Sequence, residues 1–249
     1  MNVVCIIQAR TGSTRLPAKV LRKVQGKELL LHCVDRVLLA SPIKLIVVAT
    51  TVKRADDAIA DLLKGYHSSV SCFRGSEDDV LDRYYQAAVS FSADTIVRIT
   101  SDCPLIDPFV IDRVVKTFQS GKYDYVSNTL ARRTYPRGLD VEVVSFKILK
   151  QVWECAWAKE DREHVTWYIR QHPNEFRTAT VENDRDLSSL RWTVDEEADF
   201  ALIKRIYDEI YPDNRQFTSG DIMALLDRYP ELKYYNSHVE QKKIEGKSQ

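Results

Sequence analysis

The chain has 249 residues, 44% of them hydrophobic, and its 36 Lys and Arg residues balance its 36 Asp and Glu residues. This length and apolar content predict one large α/β domain, or a domain with a lid, and exclude a disordered chain. The zero net charge argues against a general nucleic-acid-binding protein, which usually carries a basic excess. We see neither a signal-peptide pattern nor a long apolar run, so we expect a cytoplasmic protein without a membrane span.

Apolar strand-like runs alternate with amphipathic helical patterns over the first half of the chain. Strands are predicted at residues 3–8, 45–50, 70–73 and 95–99, and helices at 28–40, 55–65, 78–92 and 109–120. Such a β-α-β-α order implies a parallel sheet with helices on both faces.

The pattern changes after residue 123, where polar connections between the strand-like runs become longer. Strands are predicted at 124–128, 139–145, 178–183 and 190–194, and helices at 147–157, 162–171, 196–211 and 219–229. We interpret this part as a mixed-sheet extension that closes over the site. The five cysteines are odd in number, widely spaced and without a CxxC pair, which favours reduced thiols over disulfides or zinc.

The most informative segment is the loop after the first predicted strand. Between Ala9 and Lys27 there are six cations and no acidic residue. At the carboxyl end of a strand, backbone N–H groups, hydroxyls and cations can together hold a phosphate chain. A solvated turn whose charges only aid solubility is an equally weighted alternative. The loop contains neither a Walker A pattern nor a Rossmann glycine fingerprint.

Two aspartates, Asp102 and Asp195, directly follow predicted strands. Mg²⁺ prefers hard oxygen ligands, usually one or two carboxylates with phosphates and water, and Asp102 suits that role. Each aspartate has a simpler interpretation as a cap. Asp102 could cap the turn that enters Pro104, and Asp195 could cap the helix that begins at Glu196.

Six segments resemble, in the same order, those of the CMP-sugar synthetases, the cytidylyltransferases that activate acidic sugars such as KDO and sialic acid. They are ARTGSTRLPAK (9–19), FRGSEDDVLDRYY (73–85), RITSDCPLIDP (98–108), PRGLDVE (136–142), REHVT (162–166) and RWTVD (191–195). The branch that the chain resembles most is that of the spore coat polysaccharide biosynthesis protein F. The resemblance covers about residues 1–240. It implies a Rossmann-like nucleotide-diphospho-sugar transferase (GT-A-like) fold, with a mixed, mainly parallel sheet flanked by helices and a small β extension over the site.

The resemblance further implies an enzyme with a single nucleotidyltransferase domain over residues 1–240. Its nucleotide-binding half would span about residues 1–122 and its sugar-binding, closing half about 123–240, followed by a flexible tail at 241–249. The implied reaction joins CTP to an acidic or modified sugar, giving a CMP-sugar and pyrophosphate for surface polysaccharide biosynthesis. Such proteins often pair, so a homodimer is expected, with no nucleic-acid or membrane partner.

Roles for individual residues also follow from the resemblance. Arg10, Arg15 and Lys19 would hold the phosphates and stabilise the departing pyrophosphate, and Asp102 and Asp195 would hold Mg²⁺. Arg10, Lys19 and Asp102 form the expected catalytic set. The other expected nucleotide contacts are Ala9, Thr11, Gly12, Ser13, Ala49, Thr50, Ser76 and Arg83.

The acceptor sugar is expected to contact Arg137, Asp140, Glu142, Arg162 and His164. Guanidinium groups suit a carboxylate or phosphate, and carboxylates can accept hydrogen bonds from sugar hydroxyls. Strand alternation would put Asp140 and Glu142 on one face. A buried ion-pair network or an exposed strand face explains the same charges equally well. A lone histidine such as His164 is more often structural.

Two other functions compete with this interpretation. A glycosyltransferase with a related sheet commonly uses an Asp-x-Asp metal motif, and Asp184-Arg185-Asp186 matches it in a polar turn. That match is weak, since it arises easily by chance. A non-catalytic nucleotide-binding protein would bind CTP without turning over any acidic sugar.

Overall fold

A seven-stranded sheet forms the centre of the computed structural model, which describes residues 1–241. The strands in this part of the chain are β1 (Val3–Gln8), β2 (Lys23–Val24), β3 (Lys27–Glu28), β4 (Leu45–Thr51), β5 (Val70–Gly75), β6 (Thr95–Thr100), β7 (Tyr125–Ser127), β8 (Glu142–Ser145) and β9 (Thr178–Thr180). The sheet order is β5-β4-β1-β6-β8-β7-β9, while β2 and β3 form a separate antiparallel ribbon.

The central strands are parallel, as expected. β1 pairs with β4 on one side and β6 on the other, and β5 extends the sheet beyond β4. β8 is antiparallel to both β6 and β7, and β9 is parallel to β7. The predicted mixed, mainly parallel sheet is therefore confirmed. Its later strands continue the main sheet beyond β6.

Helices cover both faces of the sheet. They are α1 (Leu29–Leu38), α2 (Asp57–Leu63), α3 (Val80–Ser90), α4 (Pro108–Gln119), α5 (Phe146–Cys155), α6 (Lys159–Glu163), α7 (Trp167–Gln171), α8 (Glu197–Ile210) and α9 (Ser219–Arg228). In β1, Cys5 and Ile7 pack into the core with α1, α4, α8 and α9, whereas Val4 and Ile6 pack into the core with α3 and α5. Strand alternation explains this division, and the apolar run of β1 follows from burial on both faces.

Two predicted elements differ from the structure. Residues 190–194 form no strand, because their backbone bonds to loops: Trp192 N donates to the Arg137 carbonyl at 2.6 Å and Val194 N to the Asp102 carbonyl at 2.8 Å. The helix predicted at 162–171 is two short helices, α6 and α7. Between them Val165 has a φ of 47°, a left-handed conformation that interrupts an α-helix.

The remaining boundaries agree to within a few residues. α2 ends at Leu63, and Gly65 has a φ of 67°, as suits a glycine just past a helix end. The tail predicted at 241–249 lies outside the described residues except for Gln241. Among residues 1–241, no helix is long and apolar enough to cross a membrane.

Candidate active site

A cavity of about 700 Å³ opens at the carboxyl edge of β1 and β6, within the range of about 300–1,000 Å³ that is typical of ligand pockets. Open α/β sheets bind their ligands at this edge. Its wall is built from the β1 loop, the end of β6, the segment before β8, α6 and the segment before α8. The lining residues are Arg15, Arg98, Thr100, Asp102, Cys103, Arg137, Gly138, Asp140, Lys159, Glu160, Glu163, His164, Thr193, Asp195 and Gln241.

The basic loop after β1 is held by a buried carboxylate, Asp56. Asp56 Oδ1 accepts hydrogen bonds from the backbone N–H and the hydroxyl of Thr11, both at 2.7 Å, and Thr51 donates to Oδ2. Burial alone would raise the pKa of Asp56, but the bonds from Thr51 and Thr11 outweigh it and lower the pKa. An ionised Asp56 therefore fixes the conformation of the loop, a role that the sequence did not indicate.

Lys19 brings the two predicted metal ligands together. Its Nζ lies 2.9 Å from Asp102 Oδ2, 2.8 Å from Asp195 Oδ1 and 2.7 Å from the Val194 carbonyl. Burial opposes the charge of Lys19, but Asp102 and Asp195 outweigh it and raise the pKa of the ammonium. Burial likewise opposes ionisation of Asp102, yet Lys19 holds its pKa below the ordinary value. Lys19 and Asp102 are therefore both charged at neutral pH.

Neither aspartate caps a helix. The N-cap of α8 is Glu196, which forms a reciprocal capping box with Asp199. In the turn that enters Pro104, the backbone N–H groups of Cys103 and Ile106 donate to the carbonyls of Thr100 and Cys103, while the Asp102 carboxylate accepts from Lys19 and from the Cys103 thiol. The structure thus supports the capping alternative for neither Asp102 nor Asp195. It leaves both carboxylates beside the basic loop.

The chemistry of this pair fits a hard divalent cation. Asp102 Oδ2 and Asp195 Oδ1 already converge on one cationic atom, Lys19 Nζ. Mg²⁺ commonly takes one or two carboxylates and completes its shell with phosphate oxygens and water. No cluster of three or more His, Cys, Asp or Glu side chains suited to a metal occurs within residues 1–241. Any metal here would therefore depend on the ligand for its remaining contacts.

Arg15 extends this charged group into the cavity. Its Nη2 lies 3.0 Å from Asp195 Oδ1, and its Nη1 lies 3.7 Å from Glu196. Arg10, by contrast, has a side chain that is 49% exposed and lies 3.8 Å from Glu77. The structure thus brings Arg15 and Lys19 together at the aspartates, whereas Arg10 lies near Glu77.

The other expected nucleotide contacts do not line the cavity. Ala9, Thr11, Gly12 and Ser13 belong to the β1 loop, and Ala49 and Thr50 are buried in β4. Ser76 Oγ accepts a hydrogen bond from Asp79 N at 3.1 Å. Arg83 is buried and donates to the Ser76 carbonyl, so its guanidinium supports the turn that leads to α3.

Of the five expected acceptor contacts, Arg137, Asp140 and His164 line the cavity. Within residues 1–241, the Arg137 guanidinium has no hydrogen bond or ion pair. Burial lowers its pKa, and the neighbouring Arg133 lowers it further. Asp140 forms a two-point pair with Arg133 at 2.5 and 2.8 Å. Arg137 is therefore a desolvated cation facing an open cavity, a setting that favours an anion.

Two of the expected acceptor contacts do not line the cavity. Glu142 is buried between Arg98 and Arg170, each 3.1 Å away, and accepts a hydrogen bond from Thr166 at 2.6 Å. Burial would raise the pKa of Glu142, but Arg98 first and Arg170 next lower it.

Arg162 likewise points away from the cavity. It donates to Asp79 at 2.5 and 2.9 Å and to the carbonyls of Trp153 and Ala156. Glu142 and Arg162 thus form ion pairs with other protein side chains, as in the alternative to sugar binding, and do not face the cavity.

Four charged residues in the wall were not predicted: Arg98, Lys159, Glu160 and Glu163. Arg98 reaches the site because β6 pairs with β8 in a register that puts Arg98 opposite Glu142. Lys159, Glu160 and Glu163 belong to α6, which the sequence pattern placed too late. An antiparallel strand pairing and a helix of five residues leave little periodic signal in a sequence.

The Asp-x-Asp match lies outside this site. Asp184 is 91% exposed and lies 3.5 Å from Arg113, and Asp186 pairs with Arg132 at 2.6 Å. Neither aspartate lines the cavity.

Comparison with known proteins agrees with this geometry. The cytidylyltransferase family model matches residues 4–243. The chain is 40% identical over 247 residues to an uncharacterized protein of Methanocaldococcus jannaschii, with 97% of each chain covered. It is 33% identical over 241 residues to the spore coat polysaccharide biosynthesis protein SpsF of Bacillus subtilis, covering 92% of this chain and 96% of that protein.

Two further matches extend the comparison. A 3-deoxy-manno-octulosonate cytidylyltransferase of Geobacter sulfurreducens is 35% identical over 115 residues, covering 46% of this chain and 44% of that protein. A solved cytidylyltransferase structure from Leptospira borgpetersenii superposes with a TM-score of 0.88 at 29% identity, covering 98% and 99% of the two chains. Fold, cavity and matches together define a nucleotidyltransferase. Within that class, the chain belongs to the cytidylyltransferase family, and both the predicted family and the predicted fold are confirmed.

Proposed function

We propose that the protein transfers the CMP group of CTP to a hydroxyl of an acidic or modified sugar, releasing pyrophosphate. The observation that carries this proposal is the position of Lys19, which is bonded to Asp102 and Asp195 at the end of a basic loop. The Geobacter relative is a cytidylyltransferase of an acidic sugar, which supports CTP and an anionic acceptor as substrates. The Bacillus relative supports a role for the product in surface polysaccharide synthesis.

The triphosphate would lie along the basic loop. Arg15 and Lys19 are beside both aspartates and would neutralise the charge that builds up on the leaving pyrophosphate, and Arg10 of the same loop lies near Glu77. The acceptor hydroxyl oxygen would attack the α-phosphorus and release its proton to water, and the bond from that phosphorus to the bridging oxygen of the pyrophosphate would break. Charge stabilisation and positioning by the chain's own residues would supply most of the rate enhancement.

Asp102 and Asp195 would hold Mg²⁺ in this arrangement. When bound, Mg²⁺ would supply Lewis-acid polarisation of the α-phosphate and would lower the pKa of a coordinated hydroxyl. Of the two aspartates, Asp102 forms fewer ion pairs: it pairs with Lys19, whereas Asp195 pairs with Arg15, Lys19 and Arg191. We therefore assign Asp102 the larger share of metal binding.

The acceptor would occupy the side of the cavity formed by Arg137, Asp140 and His164. Arg98 and Lys159 add positive charge to the same wall. A carboxylate or phosphate on the sugar would pair with the Arg137 guanidinium, which has no protein partner within residues 1–241. Asp140 can accept hydrogen bonds from sugar hydroxyls while Arg133 holds it in place.

A pyrophosphate-release screen tests this proposal. The native protein is incubated with each of four nucleoside triphosphates, Mg²⁺ and a panel of acidic and neutral sugars. We expect release with CTP and an acidic sugar, and no release from Asp102→Asn under the same conditions. Release of a nucleoside diphosphate from a nucleotide sugar would instead indicate a glycosyltransferase. CTP binding without turnover on any sugar would indicate a nucleotide-binding protein without catalysis.

A further inference from the structure

A buried arginine holds Asp195 from the side opposite Lys19. Arg191 Nη2 donates to Asp195 Oδ2 at 2.7 Å, whereas Lys19 and Arg15 contact Oδ1. Arg191 is 7% exposed and Asp195 8%. The two carboxylate oxygens thus have separate partners, and Arg191 leaves Oδ1 directed at the basic loop.

Arg191 is itself fixed by Asp199, a fully buried residue of α8. Arg191 Nε donates to Asp199 Oδ1 at 2.8 Å, and Nη2 lies 3.2 Å from Oδ2. Asp199 Oδ2 also accepts the backbone N–H groups of Asp195 at 2.9 Å and Glu196 at 3.0 Å. One carboxylate therefore orients both the guanidinium and the backbone of the residue that the guanidinium positions.

The segment after α9 completes this network. Asn236, which is 3% exposed, donates from Nδ2 to Asp199 Oδ1 at 2.8 Å and to the Arg191 carbonyl at 2.9 Å. Arg191 Nη1 donates to Gln241 Oε1 at 2.7 Å. Every nitrogen of the Arg191 guanidinium thus has an acceptor, so the side chain has little freedom to rotate.

We propose that Arg191 is a positioning residue for Asp195, and that Asp199 and Asn236 hold it in that role. Without Arg191, Oδ2 of Asp195 would be a buried anionic oxygen with no partner, and the carboxylate could turn toward Lys19 and Arg15 with both oxygens. It would then no longer present one fixed oxygen to the site of the nucleotide and its cation. This inference rests on the proposed function, because that function places Asp195 in the site.

Calorimetry of CTP binding provides a readout that is independent of turnover. We measure the CTP dissociation constant with Mg²⁺ and again with EDTA. The magnesium gain is the value in EDTA divided by the value with Mg²⁺. In Arg191→Met and Arg191→Lys we expect the magnesium gain to fall by about 10-fold or more, as for other residues that orient metal ligands. Lysine keeps the charge, but one ammonium cannot reproduce the contacts to both Asp195 and Asp199. CTP affinity in EDTA should change by less than about threefold, since Arg191 does not line the cavity.

Arg22→Met is the matched control. Arg22 also pairs with a carboxylate of α8, donating to Glu197 at 2.8 Å, but it makes no contact with Asp195. Its removal should leave the magnesium gain unchanged. Asn236→Ser is a milder variant, for use if Arg191→Met does not fold, and we expect it to reduce the magnesium gain by about threefold.

The outcomes separate this inference from the proposed function. A native protein that binds CTP with a magnesium gain, together with Arg191 and Asn236 variants that retain it, would overturn the positioning role alone. An equal loss of the magnesium gain in Arg22→Met would also overturn the positioning role of Arg191, because breaking any ion pair on α8 would then have the same effect. A native protein that does not bind CTP would overturn the proposed function and this inference with it.

Discussion

Replacing Lys19 with methionine removes the ammonium group that contacts both Asp102 and Asp195. Lys19→Met keeps most of the apolar stem but leaves Asp102 and Asp195 facing each other without the ammonium that now contacts both. The side chains of Lys19 and Asp195 are each 11% exposed, and that of Asp102 is 25% exposed. The ion pairs of Lys19 are therefore mostly buried, with some access of water to Asp102.

The size of the effect follows from this geometry. Breaking a buried ion pair costs about 3–5 kcal/mol, and the exposure of Asp102 argues for the lower end, about 3 kcal/mol. For a chain of this size that corresponds to a loss of roughly 6–12 °C in Tm. Turnover should fall about tenfold to over a hundredfold, because a charge-assisted contact to phosphate contributes about 1.5–3 kcal/mol.

The variant should also respond to pH and to Mg²⁺ in a specific way. Two facing carboxylates raise the pKa of one of them, so their repulsion is present above that raised value and is relieved as the pH falls through it. The stability deficit relative to the native protein should therefore shrink toward about pH 5. Mg²⁺ can now bind between the carboxylates, and at ten times its dissociation constant it would restore about 1.4 kcal/mol.

Thermal unfolding with and without Mg²⁺ measures these effects, with NaCl at matched ionic strength as the salt control. Lys23→Met is the matched variant, since the Lys23 side chain is 62% exposed and pairs with a single carboxylate, Glu28. We expect it to change stability by less than about 0.5 kcal/mol. A Lys19→Met protein as stable as Lys23→Met, with no response to Mg²⁺, would refute the arrangement described for Asp102 and Asp195.

Three further predictions concern the rest of the site. Arg137→Met should raise KM for the acceptor about tenfold or more with CTP affinity unchanged, and loss of CTP binding would move Arg137 into the nucleotide site. Glu142→Gln should lower the free energy of unfolding by about 3 kcal/mol in urea titrations, because Arg98 and Arg170, whose side chains are 15% and 22% exposed, lose their anionic partner. Glu154→Gln, on the surface of α5, should cost less than about 0.5 kcal/mol. The pKa values of Asp102 and Glu142 are lowered in the folded protein, so their stabilisation should be lost below about pH 4–5. Unfolding midpoints that stay constant down to about pH 3 would contradict this.

The sequence identified several of the strands and loops that form the cavity wall. β1 was predicted over its full length because it is an unbroken apolar run that is buried on both faces. The basic loop after it and Asp102 after β6 could be found because parallel strands end at one edge of the sheet. Asp195 was predicted both from the strand expected before it and from the resemblance. That strand does not form, yet Asp195 lines the cavity.

The side-chain partners could not be predicted in the same way. Glu142 and Arg162 are ion-paired away from the cavity, and nothing in their local spacing indicates Arg98, Arg170 or Asp79 as partners. These pairs depend on the pairing of β6 with β8 and on the packing of α6 against α3. Contacts between residues far apart in the chain are a property of tertiary structure, to which periodicity and motif spacing are insensitive.

The buried carboxylates Asp56 and Asp199 were missed for a related reason. In sequence each looks like an ordinary acidic residue in the first turn of a helix. In the structure, Asp56 holds the β1 loop and Asp199 holds Arg191, and both are almost fully buried. Burial of a charged side chain cannot be read from its neighbours along the chain when its partners lie on other segments.

The central claim is that the protein forms a phosphate ester between CMP and a sugar hydroxyl. Mass spectrometry of reactions that contain CTP, Mg²⁺ and the acidic-sugar panel tests it most directly, with pyrophosphate quantified in the same samples. We predict a product whose mass is that of CMP joined to one sugar with loss of water, formed in equal amounts to pyrophosphate. Absence of that product across the panel, or pyrophosphate formed without it, would contradict the account.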